Sequence, residues 1–215
     1  MGIDAAWKEQ LKQLKWECDR ASEFIDISIY GPDELEREQI GYSVDTEGNR
    51  LASDEEGAWQ PGWIVIGCVD LTGDPVIVDT CEAGQPVACL MHGMEEWGAG
   101  SYIAGSMGQC KDAIAKIRLL MTDKNPERTN VPVACADLDA VVAEIAAADE
   151  YAHADAWKAL LAPCYRSARQ QEETVIRTIK SMSGQGMKIK DIADALQIPL
   201  KQAYSYLRQS KSEAD

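Results

Sequence analysis

The nearest approach to a catalytic set in this chain is Asp70, Asp74, Asp79 and His92. Asp70 and Asp74 bracket the turn VDLTGDP, Asp79 lies late in the next apolar run, and His92 follows the run after that. Carboxylates held in contrasting environments divide into an acid and a base, and a histidine beside them adds a proton carrier or a ligand. The same residue types also have a purely architectural use. Aspartate accepts hydrogen bonds from nearby amides in turns, and a histidine at a strand end serves equally as a bonded structural group. Nothing in the sequence completes the catalytic version. There is no G-x-S-x-G elbow and no cysteine beside a histidine partner. Phosphate-cradling glycine motifs are missing too. The seven cysteines (Cys18, Cys68, Cys81, Cys89, Cys110, Cys135, Cys164) are odd in number and scattered, without zinc spacing. Most of them read as small buried hydrophobes. A Cys81–Cys89 contact across a hairpin is open, but a stable disulfide is not expected in a reducing compartment. The expectation is a protein that is not an enzyme, with no metal and no cofactor.

The elements that position these residues centre on Trp59–Ala104. GWIVIGC (62–68), PVIVDT (75–80) and PVACLM (86–91) are short, β-branched apolar runs bounded by Gly, Pro and Asp, and read as buried strands. CEAGQ supplies a hairpin connection with Gly84 in the turn. SYIA predicts a last short strand, and Ser106 an N-cap for a helix through KDAIAKIRLLM. Upstream, Trp7, Leu11, Leu14, Cys18 and Ala21 recur at helical spacing over residues 4–21. FIDISIY (24–30) alternates as a half-buried strand, DELEREQI reads as a short helix, and GYSVD as an extended segment. Residues 48–62 are polar, acidic and loop-like. With one Phe against six Trp, the large core anchors must be tryptophans and aliphatics.

Charge divides the chain. Net charge is −15, but residues 1–165 carry 12 Lys+Arg against 30 Asp+Glu, whereas residues 166–211 carry 9 against 4. An acidic body repels nucleic acid and membranes and favours basic partners; the tail has the opposite bias. No apolar run approaches the ~20 residues that span a bilayer, and the N-terminus lacks the apolar stretch of a secretory leader. A cytoplasmic location is expected.

The polar stretch TDKNPERTNVPVA marks a boundary, giving an α+β domain over 1–122, a helical connector over 135–165 and a three-helix unit over 170–210. In the last, helices are expected over 172–181, 188–196 and 199–209, the final two joined by the tight QIP turn. That pattern resembles a helix-turn-helix module. On that reading Lys201, Gln202, Tyr206 and Arg208 face nucleic acid, and Lys188 and Lys190 lie near phosphates. A packing or dimerisation role is the competing reading, since a balance of 9 to 4 is modest for a DNA binder.

The segments WIVIG, GDPVIVDT, PVACLMHG, Trp97 and IAGS, preceded by GYSVDTEGNRL, resemble in order and spacing the SUKH superfamily of fungal cell-wall-synthesis regulators and bacterial toxin-immunity proteins. The resemblance covers roughly residues 24–120, and its most specific positions include Trp63, Gly67, Gly73, Asp74 and His92. It implies an α+β fold with a mixed or mostly antiparallel sheet flanked by helices, followed here by an all-helical C-terminal region. It also implies a non-enzymatic bacterial protein that neutralises a cognate toxin, often a nuclease, by binding it. This chain departs from the pattern in having Cys110 where such proteins place Phe, and in lacking an L-P-x-x-Y segment after the first helix. A basic toxin domain is the expected partner, with Glu55, Glu56, Glu95 and Glu96 as candidate contacts because they lie in acidic loops beside the sheet. DNA binding through the tail is the alternative.

Overall fold

The structure, a computed structural model, describes residues 3–91, 97, 100–122 and 133–212. Strands β1 (Ile27–Ile29), β2 (Trp63–Val69), β3 (Pro75–Asp79), β4 (Val87–Leu90) and β5 (Gly100–Ala104) form one antiparallel sheet in sequence order. Each strand pairs antiparallel with the next; the β2–β3 and β3–β4 connections are short, which returns the chain antiparallel, whereas β1 reaches β2 only through the long 30–62 segment that contains α2. Helices α1 (Ala5–Ala21), α2 (Leu35–Glu38) and α3 (Met107–Thr122) accompany the sheet. Then come α4 (Cys135–Ala148), α5 (Ala154–Leu160), α6 (Ala162–Gly184), α7 (Ile189–Leu196) and α8 (Leu200–Ser212). The fold is α+β with an antiparallel sheet, flanking helices and a helical C-terminal region.

Two compact units are present, Met1–Thr122 with Asp139–Pro163, and 123–138 with Cys164–Asp215. Residues 135–165, read from the sequence as a connector, are therefore divided between them. The body holds residues 139–163 through specific bonds. Asp149, buried, accepts from the amides of Gly105 (2.8 Å) and Tyr151 (3.0 Å). Trp157, fully buried, donates its indole N–H to the Ile103 carbonyl at 2.9 Å, and Asp26 N–H reaches the Leu160 carbonyl. Unpaired, a buried carboxylate like Asp149 would be costly; here two amides satisfy it.

The sheet is covered on both faces. Val76, Val78 and Val87 are fully buried. Cys89 of β4 shares their face, and Cys110 of α3 and Cys18 of α1 are buried. Helices α1 and α3 pack on each other there, joined by buried Glu17, which pairs with Arg118 and, at 3.6 Å, with Arg20. On the opposite face Val65, Ile77, Ala88 and Leu90 meet an aromatic cluster from the 30–62 segment and Trp97. Trp59, only 2% exposed, is its centre. Its ring lies 5.0 Å from Tyr42, 5.1 Å from Trp97 and 5.6 Å from Trp63, the two tryptophan contacts edge-on. Such pairs add roughly 0.5–1.5 kcal/mol each beyond burial.

Strand β1 is shorter than the alternation over 24–30 suggests. The amides of Phe24 and Ile25 both bond back to Ala21, so those residues finish α1. The segment GYSVD is not a strand either: Tyr42, Ser43 and Val44 turn on the Gln39 carbonyl, leaving isolated bridges from Val44 to Ile40 and Arg50. With β1 pairing only with Gly67–Val69, the first half of β2 is a sheet edge. Gln39 closes it. Its side-chain amide donates to the Val65 carbonyl at 2.9 Å and accepts from the Val65 N–H at 3.0 Å, as a neighbouring strand would. Trp63 is matched in the same way, N–H to the Gln60 carbonyl and carbonyl from the Trp59 indole N–H. Just beyond, the strand bulges at Val65–Gly67, and a Cβ on Gly67 would stand 2.1 Å from the Ser28 carbonyl oxygen, so only glycine fits.

Gln39→Ala strips both groups of Val65 of their partner. It is expected to cost about 1–3 kcal/mol, read as a lower urea midpoint at unchanged slope. A loss below about 0.5 kcal/mol would show that water replaces the amide freely.

Candidate functional site

The carboxylates singled out in the sequence do not converge. Asp74 and Asp79 stand at opposite ends of β3, about 16 Å apart at ~3.3 Å per residue. Asp79 Oδ2 accepts from the Trp63 indole N–H (3.2 Å) and Oδ1 from the Cys81 amide (3.0 Å), tying β2 to the following turn. Asp74 Oδ2 accepts from the Thr72 hydroxyl at 2.6 Å, and its N–H reaches the same hydroxyl oxygen. Gly73, at φ +74°, lets the turn close through main-chain bonds between Val69 and both Gly73 and Asp74. Asp70 is exposed. His92, Glu95 and Glu96 lie outside the described residues. Among the described residues no group of three or more His, Cys, Asp or Glu is arranged to hold a metal.

Cys18, Cys110 and Cys164 are buried packing groups, whereas Cys68, Cys89 and Cys135 are half-buried and Cys81 is exposed. All seven are free thiols, so Cys81 and Cys89 are not bridged. Burial pushes the Cys18 and Cys89 thiols up to about 12 and Cys110 well above its ordinary value. They are thiols at neutral pH and poor nucleophiles. Cys110 is fully buried in α3.

What the body does present is an acidic cover on the aromatic face. Residues 33–60 carry nine acids, from Asp33 to Glu56, against Arg37 and Arg50 alone. Glu55 and Glu56 are exposed, and neither carboxylate has an ion-pair partner among the described residues. Their loop is held firmly from beneath. Glu55 N–H donates to Ser53 Oγ, and the Gln60 amide donates to the carbonyls of Glu55 and Ala58. The Trp97 amide reaches the Gly57 carbonyl at 2.7 Å. Amid these charges two aliphatic side chains stand out, Ile40 at 45% and Leu51 at 46% exposure. Their segments adjoin, since Val44 bridges to Ile40 and the Leu51 amide bonds to the Ser43 carbonyl. Spacing alone could not reveal these two positions, because Ile40 ends a segment that reads as a short helix and Leu51 lies in one that reads as loop.

At the far end of the cover the DTEGN turn is closed by Asp45, whose carboxylate accepts from the amides of Glu47 and Asn49 and from the Asn49 side chain, each at 2.8 Å. The Asn49 side chain first, then these amides, hold its carboxyl below the usual carboxylate range.

The second unit, taken by itself, packs α6, α7 and α8 around Ile179, Ile192 and Tyr206. Helix α6 runs from Ala162, far upstream of the expected start at 172. Pro163 falls in its first turn, where a missing N–H does no harm. Gln197, left-handed at φ 54°, ends α7, and the Ile198 amide bonds to the Ala193 carbonyl. The expected nucleic-acid set divides. Lys188, Lys190, Lys201 and Arg208 are exposed. Tyr206 is not: it is 8% exposed in the core, its hydroxyl accepting from the Gln202 amide at 2.8 Å, so both of these residues face inward. The outward face of α8 is Lys201, Tyr204, Ser205 and Arg208, with Tyr204 at 54% exposure. No family model, no curated protein and no solved structure matches this chain.

Two outcomes follow from these turns. Asp74→Ala is expected to lower stability by roughly 0.5–2 kcal/mol, as loss of an aspartate cap does, measured by thermal melting; an unchanged melting temperature would deny the turn role. Asp45, observed by carbon-detected NMR titration, should titrate below an ordinary aspartate, and Asn49→Ala should bring it back up. Since its folded value is depressed, its contribution to stability is present above the unfolded value and lost as pH falls through the folded one. An Asp45 that titrates normally in the wild-type chain would contradict the hydrogen-bonded turn.

Proposed function

We propose that the body is a non-enzymatic, SUKH-like protein-binding domain whose acidic cover engages a basic partner, and that the protein is an immunity protein neutralising a cognate toxin, a nuclease for example. One observation carries this reading: nine acids against two bases over residues 33–60, with Ile40 and Leu51 exposed among them. Apolar anchors inside a polar rim are how protein interfaces divide affinity from specificity. A preorganised loop keeps the ordering cost of binding low. The excess negative charge steers a basic surface toward the cover and rejects acidic competitors. The α+β fold agrees with what the SUKH resemblance implies.

A second reading is favoured by the exposed Lys201, Tyr204 and Arg208 on one face of α8, with Lys188 and Lys190 also exposed. On that reading the tail contacts DNA and the protein is a regulator. A mobility-shift assay on the full chain, with Lys201→Glu and Arg208→Glu as the paired variant, separates the two, since the immunity reading needs no DNA affinity.

For the leading reading, the full chain is mixed with candidate basic toxin domains and the dissociation constant is followed against salt. Affinity should fall steadily as salt rises, and Glu55→Lys with Glu56→Lys should weaken binding about tenfold or more, in line with charge pairs at interfaces. Salt-independent binding, or no complex with any basic toxin domain, would contradict the proposal.

A further inference from the structure

We propose that the groove beside the β2 edge receives an extended segment of the protein partner that carries a lysine or arginine next to an aliphatic residue, held through side chains and not by strand addition. This deepens the protein-binding reading and rests on it. The groove has a volume of about 930 Å³ and lies between the start of α1, α2 and the β2–β3 hairpin. That is at the upper end of the ~300–1,000 Å³ typical of ligand sites.

Its lining is mixed: Pro32, Leu35, Trp63 and Ile64 supply apolar surface beside polar Ser43 and Thr80. Its charged lining groups are Asp33, Glu36 and Lys8. The carboxylates around α2 divide by use. Glu34 and Glu38 are both taken by Arg37, at 3.6 and 2.6 Å, and Glu34 also accepts from the Gly31 amide. Asp33 and Glu36 line the groove and have no ion-pair partner among the described residues. Apolar lining residues beside open carboxylates suit a side chain whose stem is apolar and whose head is cationic, and the surrounding cover has the same sign.

The backbone excludes the usual way of binding at a sheet edge. An added strand needs free N–H and C=O groups, but on this side of β2 the Trp63 groups are matched by Gln60 and Trp59, and the Val65 groups by Gln39. Recognition must come from side chains. Lys8 lies in the groove with the wrong sign for such a guest, which supplies a test by sign.

A library of displayed peptides about twelve residues long is selected against the full chain, and an enriched peptide is measured by fluorescence polarisation. Enriched sequences should pair Lys or Arg with aliphatic residues. Asp33→Lys with Glu36→Lys should weaken binding at least tenfold, and Lys8→Glu should tighten it. All three residues are exposed, and thermal melts of the variants confirm folding. Selection without basic enrichment, or charge changes at these positions that leave affinity unaltered, would overturn the groove proposal. A folded basic partner that still binds and depends on Glu55 and Glu56 would show that the broader reading survives; loss of that dependence would show that the broader reading itself has failed.

Discussion

The first half of β2 has no strand on its outer side, and the body depends on how that edge is closed. A bare row of backbone donors and acceptors invites another chain to add to the sheet. Here the Gln39 amide takes both groups of Val65, and Trp59 and Gln60 take those of Trp63. These contacts also fix the cover to the sheet, since Gln39 follows α2 and Trp59 is the hub of the aromatic cluster. Edge closure and cover attachment are thus one set of bonds. The acidic loops above Trp59 inherit their placement from it.

The two faces of the sheet are accordingly different in kind. One meets amphipathic helices joined by a buried Glu17–Arg118 pair, whose value lies in being complete, because removing either partner would strand a charge in the core. The other meets an irregular segment that has little regular structure and is held by indoles and one glutamine. The proposed binding surface lies on the second face, where an irregular segment can carry exposed carboxylates and aliphatics without disturbing a helix register.

Much of the architecture was legible in the sequence because its signals are local. The apolar runs with bounding Gly, Pro and Asp became β2, β3 and β4 nearly residue for residue, and Asp74 with Gly73 became a turn. What was not legible depends on long-range contacts. Phe24 and Ile25 alternate like a strand but are captured by the end of α1. Residues 135–165 read as a connector, yet Asp149 and Trp157 within it bond to the β5 region and join residues 139–163 to the body. On α8, the choice of face turned on Tyr206. An amphipathic tyrosine suits either core or ligand, and only its packing against Ile179 and Ile192 decides for the core. The roles of Gln39, Ile40 and Leu51 have no local signature, since a glutamine and an isoleucine at the end of a short helix and a leucine in a loop are individually unremarked.

The claim on which this account rests is that the partner is met by the acidic cover and not by the helical tail. Hydrogen exchange of the full chain, alone and saturated with a basic protein partner, tests it most directly. Binding through the acidic cover predicts new protection in residues 33–60, with the tail unchanged. Protection confined to residues 164–212, with the cover exchanging as in the free protein, would contradict it.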